Sequence, residues 1–281
     1  MTSPAKTIRI SRPQHRARLV WFAIAVDVGV FATLTLALMC CGKGESGAGP
    51  ASRAIAKAEW IFSKPAMVEF TKNEITVSQY LACVRAGVCT TASTGSYCNA
   101  EKAGRGDHPI NCISWYQAED VCKWLGGRLP TSDEWDKEAS NGGTREWPWG
   151  ASPEVSCEVA VSSKRIANWR FKSEVDGCGR NSTWPVCSKP RGLSVSGLCD
   201  MRGNVSEWTA TDDTEPRYPP GKRKIIRGDC WRSDIPLANS RSLQVGFRMG
   251  DEACYIGARC VRGLGESQLG KVVEGRGATG S

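Results

Sequence analysis

Two segments concentrate the residues that could do chemistry. Gly127-Arg-Leu-Pro-Thr-Ser-Asp-Glu-Trp135 and Gly197-Leu-Cys-Asp-Met-Arg-Gly-Asn-Val-Ser-Glu-Trp208 are dense in glycine, tryptophan and carboxylate. That mixture builds rigid loops rather than long helices. In the second segment carboxylates, a glycine and backbone carbonyls recur at alternate positions, which suits a hard cation with oxygen ligands. The competing use of the acids is structural: Asp200 and Glu207 would cap turns and pair with Arg202 or Arg180.

The cysteines are the second chemical resource. Apart from Cys40 and Cys41, they are Cys83, Cys89, Cys98, Cys112, Cys122, Cys157, Cys178, Cys187, Cys199, Cys230, Cys254 and Cys260. An even number outside a membrane signal reads as a disulfide framework in an oxidising compartment. Zinc is the weaker reading, because there is no Cys-x-x-Cys and only His108 lies beyond the N-terminal segment. His108 precedes Pro109 and reads as a turn residue rather than a base or ligand. Glu119-Asp120 and Asp133-Glu134 stand at helix starts, where the dipole favours acids, and not as a glycosidase pair. Arg232 and Arg241 either line a cleft for an acidic or peptide client or are simply solvated.

Three helices must position these groups. Thr76 with Gln79, Ser114 with Gln117 and Thr131 with Glu134 each form a capping box. Apolar stripes follow: Val77, Tyr80, Leu81 and Val84; then Ala118, Val121, Cys122 and Leu125; then Trp135 and Ala139. Gly87, Gly126 and Gly142-Gly143 stop them. The remainder holds short apolar runs such as Lys224-Ile-Ile-Arg227 among many turns. That predicts an α+β class with few long elements, its loops held by tryptophans and disulfides.

Lys6, Arg9, Arg12, Arg16 and Arg18 precede an apolar run from Leu19 to Cys41, and Gly/Ser/Ala-rich sequence follows. This is either a signal peptide or a membrane anchor. The run ends Leu38-Met-Cys-Cys41, which looks like a lipoprotein signal with Cys41 or Cys40 lipidated. Residues 1–41, with Asp27 the one acid among them, therefore carry half of the formal charge of +8. With no basic helix or stacking platform, nucleic-acid binding is not expected. The expected organisation is 1–41 signal or anchor, 42–66 tether, 67–262 a compact domain and 263–281 a disordered tail.

Seven ordered segments resemble the sulfatase-modifying factor family, whose founding members are formylglycine-generating enzymes. They include Glu69-Phe-Thr-Lys-Asn-Glu-Ile-Thr-Val-Ser-Gln-Tyr80, His108-Pro-Ile-Asn111, Trp147-Pro-Trp-Gly150, Ala167-Asn168-Trp169, Gly203-Asn204-Val205 with Glu207-Trp208, Arg227-Gly228-Asp229-Cys230-Trp231 and Gly257-Ala-Arg-Cys260. The resemblance implies the family's unusual C-type-lectin-like α+β fold, loop-rich and disulfide-stapled, of the formylglycine-generating enzyme type. It also implies a disulfide from Cys122 to Cys260. The family's loop use implies calcium at Asp200, Gly203, Val205 and Glu207. A second calcium set would be Asn168, the Trp169 carbonyl, Asp176 and the Cys178 carbonyl.

The catalytic segment departs from the pattern. Formylglycine-generating enzymes hold copper(I) on two cysteines five positions apart and oxidise a cysteine of a client sulfatase. Here those positions fall on Ser233 and Ala238, and Cys230 falls on the motif's serine. A hydroxyl and a methyl do not hold copper(I), and Cys230 is expected in a disulfide. The family's second disulfide has no counterpart either, since Ala139 and Ser140 stand there. An iron-dependent sulfoxide-forming branch is excluded by the shortage of histidine. The expectation is an extracytoplasmic, membrane-anchored domain of a bacterial cell envelope that binds a peptide, glycan or envelope protein, with calcium and without copper. The alternative is an oxidase with a variant site around Cys230 and Cys254.

Overall fold

A computed structural model describes residues 58–150, 156–165, 174–233 and 245–265. The chain divides into Met1–Ser46 and Gly47–Ser281. The first unit, with Cys40 and Cys41, lies outside the described residues. So do Asn168, Trp169, Ala238, Arg241 and most of the expected tail.

Among the described residues there are three α-helices, and each starts where its capping box predicts. They are α1 (Val77–Arg85), α2 (Trp115–Trp124) and α3 (Ser132–Ala139). At α1 the Thr76 hydroxyl accepts the Gln79 N–H at 3.2 Å while Gln79 Oε1 accepts the Thr76 N–H at 2.9 Å. The same exchange occurs at Ser114–Gln117 and Thr131–Glu134. Each cap contributes about 1 kcal/mol by satisfying N–H groups that the helix leaves orphaned. Arg128 then clamps Glu134 by a two-pronged pair, so the third box is locked from outside as well.

Short strands frame the helices. β1 (Trp60–Ser63), β2 (Val68–Thr71) and β9 (Val261–Arg262) form an antiparallel sheet with β2 central. β5 (Ser206–Asp212) lies inside a four-stranded sheet in the order β7 (Val245–Arg248), β6 (Arg223–Arg227), β5 and β8 (Ile256–Gly257). The β5–β8 pairing is parallel, and the others in that sheet are antiparallel. β3 (Lys164–Arg165) and β4 (Glu174–Val175) make a small ribbon. The largest core cluster packs α1 and α2 against Trp208, Ile226 and Ile256, while Trp135 and Phe70 anchor a second. Two of the buried indoles in this core are given a backbone carbonyl as partner. Trp208 Nε1 donates to the Ile113 carbonyl at 3.0 Å and Trp115 Nε1 to the Thr209 carbonyl at 2.8 Å. Unpaired indole N–H groups would oppose burial.

The sequence reading needs two corrections. The compact domain begins before Met67, because β1 pairs with β2 from Trp60↔Thr71 to Ser63↔Val68. The Gly/Ala/Ser/Lys composition of 42–66 hides this strand, whose Trp-Ile-Phe run is too short to outweigh its flanks. Cys230 is not in a disulfide: it and Cys254 are free. The remaining thiols pair as Cys83–Cys89, Cys98–Cys112, Cys122–Cys260, Cys157–Cys178 and Cys187–Cys199. Cys230 Sγ instead lies 3.3 Å from Ser233 Oγ, within its own turn.

Four of these bridges close short loops. Cys122–Cys260 spans 138 residues and ties α2 to the residue that precedes β9. Replacing both with alanine is expected to remove about 2–4 kcal/mol. Thermal unfolding should fall by roughly 5–15 °C, measured by circular dichroism. An unchanged transition would mean that the strand packing alone holds this closure.

Candidate functional site

The segment from Asp200 to Trp208 enters β5 through a tight left-handed turn. Asp200 (φ 54°), Gly203 (φ 81°) and Asn204 (φ 58°) all adopt positive φ. Gly203 is required twice over: a Cβ there would stand 2.5 Å from the Val161 carbonyl oxygen. Asn204 tolerates the conformation and uses its side chain as a hub. Its Nδ2 donates to Glu74 Oε2 at 2.8 Å, and its Oδ1 accepts the Trp184 N–H at 3.0 Å. Its backbone meets the Val161 carbonyl and the Trp231 N–H, both at 2.8 Å. Glu74 completes the hub by accepting the Val205 N–H at 2.9 Å.

Arg259 lies at the centre of the carboxylates. Its Nε reaches both oxygens of Glu207 at 3.1 Å, and its Nη2 reaches Glu207 Oε1 at 2.9 Å. Nη1 donates to the Thr71 and Lys72 carbonyls at 3.0 Å, and Nη2 also to the Cys199 carbonyl at 2.7 Å. Glu207 Oε2 further accepts the Trp135 indole N–H at 2.7 Å. Asp200 Oδ2 accepts the Cys187 N–H at 2.6 Å. All four charged groups, Glu74, Asp200, Glu207 and Arg259, are buried. Burial pushes Asp200 up to about 6, against the opposing pull of the Cys187 hydrogen bond and Arg259. Glu74 is raised well above the usual carboxylate range by burial and then by Asp200 and Glu207.

This arrangement decides how the expected calcium ligands fit. Both oxygens of Glu207 are already used by a guanidinium and an indole, and the Asp200 side chain serves a backbone N–H. A divalent ion at Glu207 would share that carboxylate with Arg259, so the set does not fit calcium. Of the second set, Asp176 is 3.3 Å from Arg232, while Asn168 and Trp169 lie outside the described residues. Among the described residues no group of three or more His, Cys, Asp or Glu side chains is placed to hold a metal. The expected arginine partners also differ: Arg202 pairs with Asp229 in a fully buried bridge, while Arg180 lies against Trp184. Sequence reasoning missed Glu74, Arg259 and Asp229. For Arg259 the signal was an ionisable residue embedded between apolar ones, in Ala258-Arg259-Cys260, whereas Glu74 and Asp229 carry no such local signal.

The copper segment is placed on the same turn system. Cys230 and Trp231 are buried with Val161, and Cys254 and Tyr255 pack beside them. Burial raises the Cys230 thiol, with Ser233 and backbone N–H groups opposing. With Ser233 at the neighbouring ligand position, the motif itself offers a hydroxyl where copper(I) needs a thiolate. His108 is buried beside Arg105 and Thr183. Arg105 Nη1 donates to its Nδ1 at 2.9 Å, so that nitrogen carries no proton and the neutral ring is an acceptor. Burial, Arg105 and Arg180 push it down to about 4.

Residues 59–264 match the family described as sulfatase-modifying factor enzyme 1-like domain. The chain is similar to the serine/threonine-protein kinase Pkn1 of Chlamydia trachomatis, with 36% identity over 46% of this chain and 20% of that protein. It is also similar to the inactive C-alpha-formylglycine-generating enzyme 2 of Bos taurus, with 29% identity over 57% of this chain and 52% of that one. The chain thus spans about half or less of the length of these curated relatives. Among solved structures, PvdO from Pseudomonas aeruginosa superposes with a TM-score of 0.54 at 20% identity, covering 70% of this chain and 80% of that one. The fold is therefore the α+β type of the formylglycine-generating enzymes, loop-rich and stapled by disulfides.

Two measurements check the site. The melting temperature is expected to be the same in millimolar calcium and in chelator; a rise of several degrees with calcium would show that Glu207 releases Arg259 to an ion. The pH dependence should contain two opposed contributions. Asp200, raised to about 6, stabilises the fold below its unfolded value near 4, and that contribution is lost as pH rises through 6. His108, lowered to about 4, contributes above its unfolded value near 6.5 and loses it as pH falls. Asp200→Asn should therefore reduce the loss of stability between pH 4 and 6. The His108 ring protons should titrate near pH 4 by NMR, and an ordinary midpoint would contradict the Arg105 geometry.

Proposed function

Because this chain belongs to the sulfatase-modifying factor family, we propose that it uses the family scaffold as an extracytoplasmic binding domain and lacks the family's copper oxidase chemistry. The observation that carries this reading is Ser233, a hydroxyl 3.3 Å from Cys230 Sγ, at a position where copper(I) would need a thiolate. Ala238 supplies a methyl at the other ligand position. Five disulfides support an oxidising compartment. The N-terminal apolar run ending at Cys40 and Cys41 supports a membrane anchor, lipidated or uncleaved. The domain would then hold out a rigid surface to a peptide, glycan or envelope protein. One relative bears the name of an inactive formylglycine-generating enzyme, which favours the same reading by analogy.

A second reading keeps oxidase chemistry at a variant site. It is favoured by the two free thiols, the buried Cys230 and the half-buried Cys254 packed against its cluster. The two readings separate on copper. Titration with copper(I) against a competing chelator is expected to give no stoichiometric tight binding, and a cysteine-bearing peptide under oxygen should remain unoxidised. Tight one-to-one copper binding with turnover would replace the first reading by the second. In the same samples Cys254 should alkylate faster than the buried Cys230.

A further inference from the structure

The segment after the Cys157–Cys178 bridge presents an unusual pair of cations. Arg180 Cζ lies 3.6 Å from the centroid of the Trp184 ring, and Lys189 Nζ lies 3.9 Å from it. Two like charges this close to one centroid stand on opposite faces of the indole, since on one face they would collide. The ring therefore acts as a spacer with a cation on each side. Cation–π attraction holds each charge in place.

The mount is stiff. Trp184 Nε1 donates to the Gly177 carbonyl at 2.8 Å, and its backbone N–H goes to Asn204. Cys187–Cys199 and the Asp200–Cys187 hydrogen bond fix the turn that delivers Lys189. The positive surface continues through Arg105, whose Nη1 also donates to Ser182 Oγ at 2.9 Å and to the Thr183 carbonyl at 3.2 Å. Among the described residues, neither Arg180, Lys189 nor Arg105 forms an ion pair. The exposed acid nearby is Asp107, whose carbonyl accepts the Val186 N–H. The field is felt locally: Lys189 is pushed down by burial and by Arg180. Asp200 attracts Lys189 from a distance but closes no salt bridge with it, and a fold that fixes like charges side by side without a salt bridge to either is pre-organised for an external anion.

Resting on the binding-domain reading, we propose that Arg180 and Lys189, held across Trp184, dock an extended acidic peptide segment of the client. The two cations stand about 7 Å apart, the spacing of alternate side chains on one face of an extended strand. A guanidinium offers a two-pronged fit to a carboxylate, and an ammonium offers a point charge to the next. A glycan or a nucleobase is disfavoured here, because both faces of the indole are already covered and none is left for stacking.

The test uses the full chain and a fluorescent peptide with glutamate at alternate positions, read by anisotropy at low and at physiological salt. Saturable binding that weakens with salt is expected. The Arg180→Ala/Lys189→Ala variant should lose about tenfold or more in affinity, the loss of two charge-assisted contacts. Arg191→Ala, which removes a cation already paired with Glu158, should change little. Arg180→Lys should recover part of the loss and guards against a misfolded double variant, as does an unchanged disulfide count. The site is overturned if the glutamine version of the peptide binds equally, if the double variant binds like Arg191→Ala, or if a sulfated polysaccharide binds this face and the peptide does not. Copper turnover would defeat the binding-domain reading without altering these peptide affinities, so the two failures are separable.

Discussion

The structure depends most on one buried guanidinium. Arg259 spends every N–H it has: on Glu207 of β5, on the carbonyls of Thr71 and Lys72 at the end of β2, and on the Cys199 carbonyl. It thereby joins the three-stranded sheet, the four-stranded sheet and the loop that carries Asp200. Its neighbour Cys260 is bonded to α2. The same few residues around β9 therefore carry both the covalent closure and the polar one. A guanidinium suits this place because it is planar, always charged and able to donate in several directions at once. Lysine could not reach the same acceptors from one point.

That centre has more acid than base around it. Glu74, Asp200 and Glu207 crowd one arginine, and Arg202, which also lies over the Trp147 ring, is paired with Asp229. The excess is managed by hydrogen bonds rather than by counter-charge: Glu74 takes an amide and an Asn side chain, Asp200 takes an amide, and Glu207 takes an indole. Burial still pushes Glu74 and Asp200 toward their neutral forms. Removing one partner from such a network is expected to be far more harmful than its net contribution suggests, because a buried charge would be left without its donor. Acidic loop residues that could have served a divalent ion are thus used to lock the turn onto the core.

The sequence made the helices legible because their signals are local. A capping box and its apolar stripe lie within a dozen residues, and α1, α2 and α3 all begin at their Thr or Ser caps. The Cys122–Cys260 bond was legible through resemblance alone, as no local pattern links residues so far apart. β1 was not, because its strand propensity is carried by Trp60, Ile61 and Phe62 inside a stretch of small and basic residues. The roles of Glu74 and Arg259 were equally hidden. Their chemistry arises from contacts across more than a hundred residues, and a single charged residue between apolar neighbours reads as easily as a surface position. The pairing of Arg202 with Asp229 rather than with Asp200 or Glu207 has the same cause: the fold brings together residues 27 positions apart.

The two free cysteines sharpen the difference between scaffold and chemistry. A thiol that shares a domain with five disulfides survives only if it is slow to attack them, since exchange proceeds through the thiolate. Cys230 meets that condition: it is buried, burial disfavours its thiolate, and its near neighbour is the Ser233 hydroxyl. A copper(I) centre needs the reverse, thiolates that are paired and kept deprotonated by the metal. The fold has kept the turn that delivers this segment to the Trp231 cluster while filling it with groups that keep sulfur inert. The burial that quiets Cys230 comes from the Asn204 hub and the Val161 strand bridge, the same contacts that fix Trp184 and hence its two cations. Stabilising an unreactive interior and presenting a rigid charged surface are therefore consequences of one set of hydrogen bonds.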